Sequence, residues 1–465
     1  MKRKTQYILI LVFAALILSY SILHYSSVSI FKKSIHIPSA AAVAIPMPNE
    51  IASSKAIDLP VIAAAKPLQA LDDKKCVAFI NALMENKKTR TFQAQLELAN
   101  EEANFKIESM LVRAKSHQDA VTAATARYLH GQMQAHGAIE KYARQHPECE
   151  SDDVCLEQKT EIGDAARYNG VNELAKQAIY SPDPRVYAMA FHACSQITDK
   201  QNGFCQQISA SQWAQRDPDN GVAWLFLLSQ SAKNSPDPLS KSKIGKQDGE
   251  FENAIFRLSQ SKKFDWGLSP LSTFQQSQLI QNENPLIQSN LGRLAGELSI
   301  YMSLPCYGIL TNYCQLDRLV DANRRQICDG VASRLINADD SMFSRLIGLK
   351  LGERLAWAPE KMVRLREETD ALREMQRIID DSLQRTAKED KSKAEQACRS
   401  MVMVTVMEME IDMDYLDKAM RHGEVGALQL RMKKQKFSQA ELAESFRKSI
   451  QKANAEMALK KSASH

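Results

Sequence analysis

The chain has 465 residues, with 60 lysines and arginines against 55 aspartates and glutamates, for a net charge of +5. So small an excess over that length provides no basic field of the kind nucleic acid requires, so no nucleic-acid partner is expected. With only 17 glycines, 15 prolines and 7% aromatic residues, and with many Ala, Leu, Gln, Glu and Lys, the composition suits an all-α chain.

The N-terminus reads first as a membrane segment. Met1-Lys2-Arg3-Lys4 precedes an apolar run from Tyr7 to Phe31 that closes at Lys32-Lys33. A bilayer core takes about 20 apolar residues in a helix, and no charge interrupts this run. A cleaved signal built on Ile8–Leu18 would need a small-residue site soon after, yet the best one, Ser39-Ala40-Ala41-Ala42, comes late. Residues 1–33 are therefore expected to be a cytoplasmic tip and a retained transmembrane signal anchor. The leading basic cluster keeps the N-terminus inside the inner membrane and puts the bulk of the chain in the periplasm. Residues 34–72, punctuated by Pro38, Pro46, Pro48, Pro60 and Pro67, read as an Ala/Pro-rich linker. No asparagine stands in an N-glycosylation sequon, which favours periplasm over a eukaryotic lumen.

Residues 73–357 alternate helix and turn. Ala103, Ile107, Met110, Leu111 and Ala114 share one helical face, and Val121, Ala124, Tyr128, Ala135, Ile139 and Tyr142 repeat the pattern. Nine cysteines agree with an oxidising compartment. Cys149–Cys155, Cys194–Cys205 and Cys306–Cys314 each flank a short segment and could staple the neck of a hairpin, each contributing about 2–4 kcal/mol. Cys76, Cys328 and Cys398 remain, with at most one further pair among them. Spacing alone does not fix the connectivity.

Asp183-Pro184 and Asp217-Pro218 lie 34 residues apart, and the span between them reads as one hairpin, with helices over Arg185–Ile197 and Phe204–Arg216. Proline suits the first turn of a helix and aspartate caps it. Ala214 to Trp224, with Trp224 and Leu227 placed as an early tryptophan and leucine, resembles the junction between tetratricopeptide repeats, whose period is 34. The resemblance covers about residues 181–232. Leu228 departs from it, standing where the family carries a small glycine, and no third Asp-Pro follows at the same interval. It implies a TPR-like α-solenoid of stacked helical hairpins with a concave protein-binding face. Trp224 is read as core.

Residues 358–465 read as long C-terminal helices. One runs from Pro359 to Leu383 with Met362, Leu365, Leu372, Met375 and Ile379 on one face. A second spans about Lys391–His422 and ends at Gly423, and a third spans Ser438–Leu459 with Ser438 as cap and Glu441 three residues on. The tail is locally basic, which reads as a solvated helix face.

Candidate chemistry is sparse. Met401, Met403, Met407, Met409 and Met413 form a thioether-rich run suited to a soft metal such as copper, but Met403, Met407 and Ile411, four apart, read first as a helical core stripe. From Met407 to Asp414, apolar and acidic residues alternate, which also permits a strand. His146, Cys149 and Cys155, with His192 and Cys194 further on, lack the spacing of a zinc site. The pairs Glu101-Glu102 and Asp339-Asp340 fall where solvated helix ends are expected. No nucleophile elbow, phosphate loop or dinucleotide fingerprint occurs, so no catalytic residue and no cofactor is assigned. The expected function is a membrane-tethered extracytoplasmic scaffold for unknown protein partners. The alternatives are a periplasmic enzyme without a linear motif, such as a cell-wall hydrolase, and a copper-binding protein.

Overall fold

A computed structural model describes residues 73–85, 92–147, 153–197, 203–233, 248–275, 277, 283–301, 305–386, 403–406 and 409–462. All of them belong to one unit, Ala63–His465. The expected signal anchor and linker lie outside the described residues. Among those residues, no helix is long and apolar enough to cross a membrane.

The described residues are α-helical apart from one short hairpin. The first helices are α1 (Asp73–Glu85), α2 (Phe92–Ala114), α3 (Ala120–Gln145) and α4 (Asp153–Tyr180). Helices α2, α3 and α4 pack in sequence, each on the next. The stripe Ala103, Ile107, Met110, Leu111 and Ala114 is buried, as are Ala124, Tyr128 and Ala135, while Val121, Ile139 and Tyr142 are half-buried. Asp119 caps α3 by accepting from the Thr122 N–H at 2.7 Å. The α3–α4 crossing is tight because two glycines meet there. A Cβ on Gly170 would lie 3.1 Å from the Cα of Gly131 and from the carbonyl of Arg127.

Next come α5 (Pro184–Ser195), a 3-10 turn (Phe204–Gln207), α6 (Ala210–Arg216), α7 (Gly221–Lys233) and α8 (Asp248–Gln260). Asp183 accepts from the Arg185 N–H at 2.9 Å with Pro184 in the first turn, the geometry its sequence implies. The expected helix over Phe204–Arg216 is broken, because Ser209 starts a new helix by accepting from the Gln212 N–H. Asp217 does not cap the helix that follows. It ends α6, and Asn220 opens α7 instead, accepting from Val222 N–H at 3.1 Å and donating to the Asp265 carbonyl. Trp224 is 6% exposed, its indole N–H donating to the Pro218 carbonyl. Leu228 is fully buried, so this position takes a large core side chain. Arg216 closes the end of α4 by donating to the carbonyls of Ala178, Ile179 and Ser181 while lying over the ring of Tyr187.

The chain continues through α9 (Ser269–Gln275), α10 (Pro285–Tyr301), α11 (Gly308–Tyr313), α12 (Ala322–Asn337), α13 (Met342–Arg354) and α14 (Pro359–Thr386). Contacts run α7 to α8, α8 to α12, α12 to α13 and α13 to α14, a succession of stacked helix pairs. The core-facing row Met362, Leu365, Leu372, Met375 and Ile379 on α14 is buried. Where one helix was expected over Lys391–His422, the described backbone instead forms strands β1 (Met403–Val406) and β2 (Met409–Asp412), antiparallel, with Met403 opposite Asp412 and Val406 opposite Met409. The dense β-branched run Val402-Met403-Val404-Thr405-Val406 explains the change, since such side chains lose rotamer freedom in a helix and not in a strand. Helix α15 (Met413–Gln435) breaks at Gly423, whose φ is +74°, and α16 (Gln439–Ser462) is capped by Ser438, which accepts from the Glu441 N–H.

Cys194 and Cys205 are bonded, with their Cα atoms 5.4 Å apart. The expected Cys306–Cys314 pair is not formed. Cys314 is bonded to Cys328 on α12, and Cys306 is a free, half-buried thiol. Cys314 ends α11 fully buried, as Cys328 is, whereas Cys306 precedes that short helix and stays partly exposed. Cys76 and Cys155 are disulfide-bonded too, and Cys149 lies outside the described residues.

Candidate functional site

The methionine run is not gathered by a helix. Met401 and Met407 lie outside the described residues, Met403 and Met409 stand at opposite ends of the β1–β2 ladder, and Met413 opens α15. Three rungs separate Met403 from Met409, about 10 Å of backbone at strand spacing. Among the described residues, no group of three or more His, Cys, Asp or Glu side chains is placed to hold a metal ion.

His192 and Cys194, weighed as zinc ligands, belong to the core. Cys194 is in a disulfide, and His192 is enclosed by Phe191, Trp213, Phe226 and Trp266. The Nε2–H of His192 donates to the Trp266 carbonyl at 3.0 Å. Burial depresses its pKa to about 4, so the ring is neutral near pH 7.

The most concentrated polar chemistry lies at Asp339-Asp340, which the sequence suggested were solvated. Asp340 is instead 6% exposed. Its Oδ2 accepts from Ser344 Oγ at 2.8 Å and from the indole N–H of Trp266 at 3.2 Å, and Ser344 Oγ also meets the Tyr307 hydroxyl at 2.7 Å. Burial pushes the Asp340 carboxyl up to about 6, against the hydrogen bonds from Ser344 and Trp266, and burial likewise raises Tyr307. The backbone of the same turn holds the break in α15: Glu424 N–H donates to the Asp340 carbonyl at 2.9 Å and Val425 N–H to the Asp339 carbonyl at 3.0 Å. The carboxylate of Glu424 returns the contact by accepting from Met342 N–H. A raised carboxyl beside two hydroxyls has the composition of an acid–base site, but Ser344 is fully buried and Tyr307 nearly so. The network joins the segment before α9, the start of α11, the α12–α13 turn and α15. It fixes these elements together and offers no approach to a substrate.

A second knot joins α9 to α15: Ser272 Oγ donates to Asp417 at 2.5 Å and accepts from Arg421, which also pairs with Asp417 at 2.6 Å. Neither network leaves a sign in the sequence, since partners separated by 74 or 145 residues form no local pattern. Glu101 and Glu102 are exposed on α2, as a solvated helix face requires.

The remaining distinctive feature is apolar. On α2, Leu98, Phe105 and Val112 are 44%, 73% and 47% exposed, and on α16 Ile450 and Met457 are each 42% exposed. Comparison with protein families, curated proteins and solved structures finds no match to the chain.

Proposed function

We propose that this protein is a membrane-tethered, extracytoplasmic helical scaffold that organises other protein chains and performs no chemistry of its own. Carrying this reading is the way stacked helix pairs leave apolar rows exposed on their outer faces, where a soluble monomer gains nothing from them. Within the stack, α5, α6 and α7 span the segment, about residues 181–232, that resembles a tetratricopeptide repeat. Six described cysteines in disulfides fit a compartment that keeps thiols oxidised. The uninterrupted N-terminal apolar run fits a tether that holds the stack beyond the membrane.

In-membrane chemical cross-linking of the full-length chain, read by mass spectrometry, tests the proposal. A second protein cross-linked reproducibly to one side of the helical stack is the expected result. If the chain is abundant and inserted, yet no second protein is recovered, the scaffold reading is overturned.

A further inference from the structure

The exposed rows on α2 and α16 have complementary character. Leu98, Phe105 and Val112 recur every seven residues, a spacing that falls only about 20° short of two full turns, so the three side chains form one line about 21 Å long. This line lies opposite the buried stripe of Ile107 and Leu111. Exposed Glu101, Glu102 and Glu108 flank it. Of the exposed cations on the same helix, Lys106 is engaged by Glu283 at 2.5 Å, and Arg113, beside Val112, donates its Nε–H to the Ser109 carbonyl. The row on α2 is therefore apolar, with three glutamates along its border and one arginine at its C-terminal end.

Helix α16 supplies the opposite. Its first half packs on α14 through Leu442, Ala443 and Phe446, held by Ser445 donating to Glu374 and by Arg373 lying over the ring of Phe446. The same helical face continues as Ile450, Ala453 and Met457, yet every residue from Ile450 to Leu459 is exposed. This distal half, Ile450–Ser462, carries Lys452, Lys460 and Lys461 against Glu456 alone. It is a basic helix whose packing face has run past its partner.

We propose that the distal half of α16 in one copy of the chain docks along the outer row of α2 in a second copy, its lysines meeting the glutamates that border the row. Both surfaces are exposed in the same folded chain, so one copy leaves both unsatisfied. The contact is heterologous, joining unlike faces, and repeated use produces rings or open chains of copies. Two helices meeting over about three turns bury less than a standard protein interface, so the association is weak in free solution. A tether holding copies in one membrane plane would strengthen it by raising their effective concentration. The proposal deepens the scaffold reading by naming a second copy of the chain as a partner, and it rests on that reading only in taking exposed helix faces as docking surfaces.

Sedimentation velocity on the full-length chain in mild detergent tests it, over a wide range of protein concentration and at low and high salt. The average mass is expected to rise with concentration, and less so at high salt. Phe105→Glu and Met457→Glu, both at exposed positions and checked for unchanged circular dichroism, should each stay monomeric alone. Mixed one to one, they should stop at a dimer, because together they keep one intact α2 row and one intact α16 row. A wild-type chain that stays monomeric throughout overturns the proposal, as does association that survives both substitutions or a mixture that forms no dimer. Binding of monomer to vesicles of anionic lipid, lost in Met457→Glu, would assign α16 to a membrane surface and overturn it as well. A failure here leaves cross-links to other proteins, and with them the scaffold reading, standing. Self-association without such cross-links overturns the scaffold reading alone.

Discussion

The indole N–H of Trp266 donates to Asp340 Oδ2 at 3.2 Å. The backbone carbonyl of the same tryptophan accepts from His192 at 3.0 Å, so one residue joins two buried titratable groups whose pKa values are displaced in opposite directions. Asp340 rises from its ordinary 3.8 to about 6, so its contribution to stability is complete below 3.8 and is lost as pH rises through 6. His192 falls from 6.5 to about 4, so its contribution is complete above 6.5 and is lost as pH falls toward 4. Each is worth about 3 kcal/mol at full extent, and between neutrality and about pH 5 they oppose one another. The wild-type melting temperature should therefore change little on acidification over this window. Asp340→Asn should make it fall with acidification, and His192→Gln should make it rise. Three parallel pH profiles would refute the linkage.

The disulfide assignment separates three cysteines that lie close in sequence. Cys314–Cys328 closes a loop of separation 14, and Cys306 stays a thiol. Peptide mapping without reduction should recover the 314 and 328 peptides joined, and an alkylating reagent should mark Cys306 in the unfolded, unreduced chain. Cys328→Ser should lower stability by about 3 kcal/mol, the entropy of a loop this size. Cys306→Ser should leave urea unfolding unchanged. Finding the 306 and 314 peptides joined would refute the assignment.

Local signals were legible in the sequence and long-range ones were not. The buried stripes of α2 and α14, the caps Asp183 and Ser438, and the break at Gly423 all rest on contacts within a few residues. They reach the sequence as helical periodicity and capping chemistry. Within 403–412, methionines spaced four apart satisfy a helix, while the apolar–acidic alternation from Met407, which permits a strand, matches β2. For β1 the β-branched valines, which lose rotamer freedom in a helix, decide the outcome. Asp340 was misread because acidic pairs at a turn are usually solvated. Its partners Trp266 and Tyr307 come from distant segments, and only the assembled core brings them beside it. Pairing Cys314 with Cys306 failed for a related reason, since nearness in sequence does not indicate which cysteines the core encloses together.

Gly423 should tolerate no other residue. Its φ of +74° with ψ of 166° is a backbone conformation open to glycine, and a Cβ there would overlap the carbonyl of Asp339. Moving that carbonyl breaks the bonds it and its neighbour accept from Val425 and Glu424. Gly423→Ala should cost about 2–4 kcal/mol from backbone strain and lost hydrogen bonds. Hydrogen exchange should show the extra loss of protection concentrated at Glu424 and Val425. Stability within about 0.5 kcal/mol of wild type would show that the turn does not clamp α15.

Arg345 fastens α13 to α14. It is 5% exposed, and its guanidinium donates to Thr369 Oγ1 at 2.9 Å, the Ile336 carbonyl at 2.8 Å and Glu368 at 2.6 Å. The three acceptors diverge as the planar fork does, and a single ammonium reaches only one or two of them. Arg345→Lys should therefore lower stability by about 2–3 kcal/mol while keeping the charge, because buried acceptors lose their donors. Glu368 is one-third exposed, so Glu368→Gln should cost less, about 1 kcal/mol, with water screening the loss. A double-mutant cycle separates the ion pair from the fork. If the pair dominates, Arg345→Lys, which keeps the positive charge, will cost little and Glu368→Gln, which removes the pair, will be the larger loss. If the fork dominates, as its geometry requires, Arg345→Lys will remain the larger loss even in a chain that already carries Glu368→Gln.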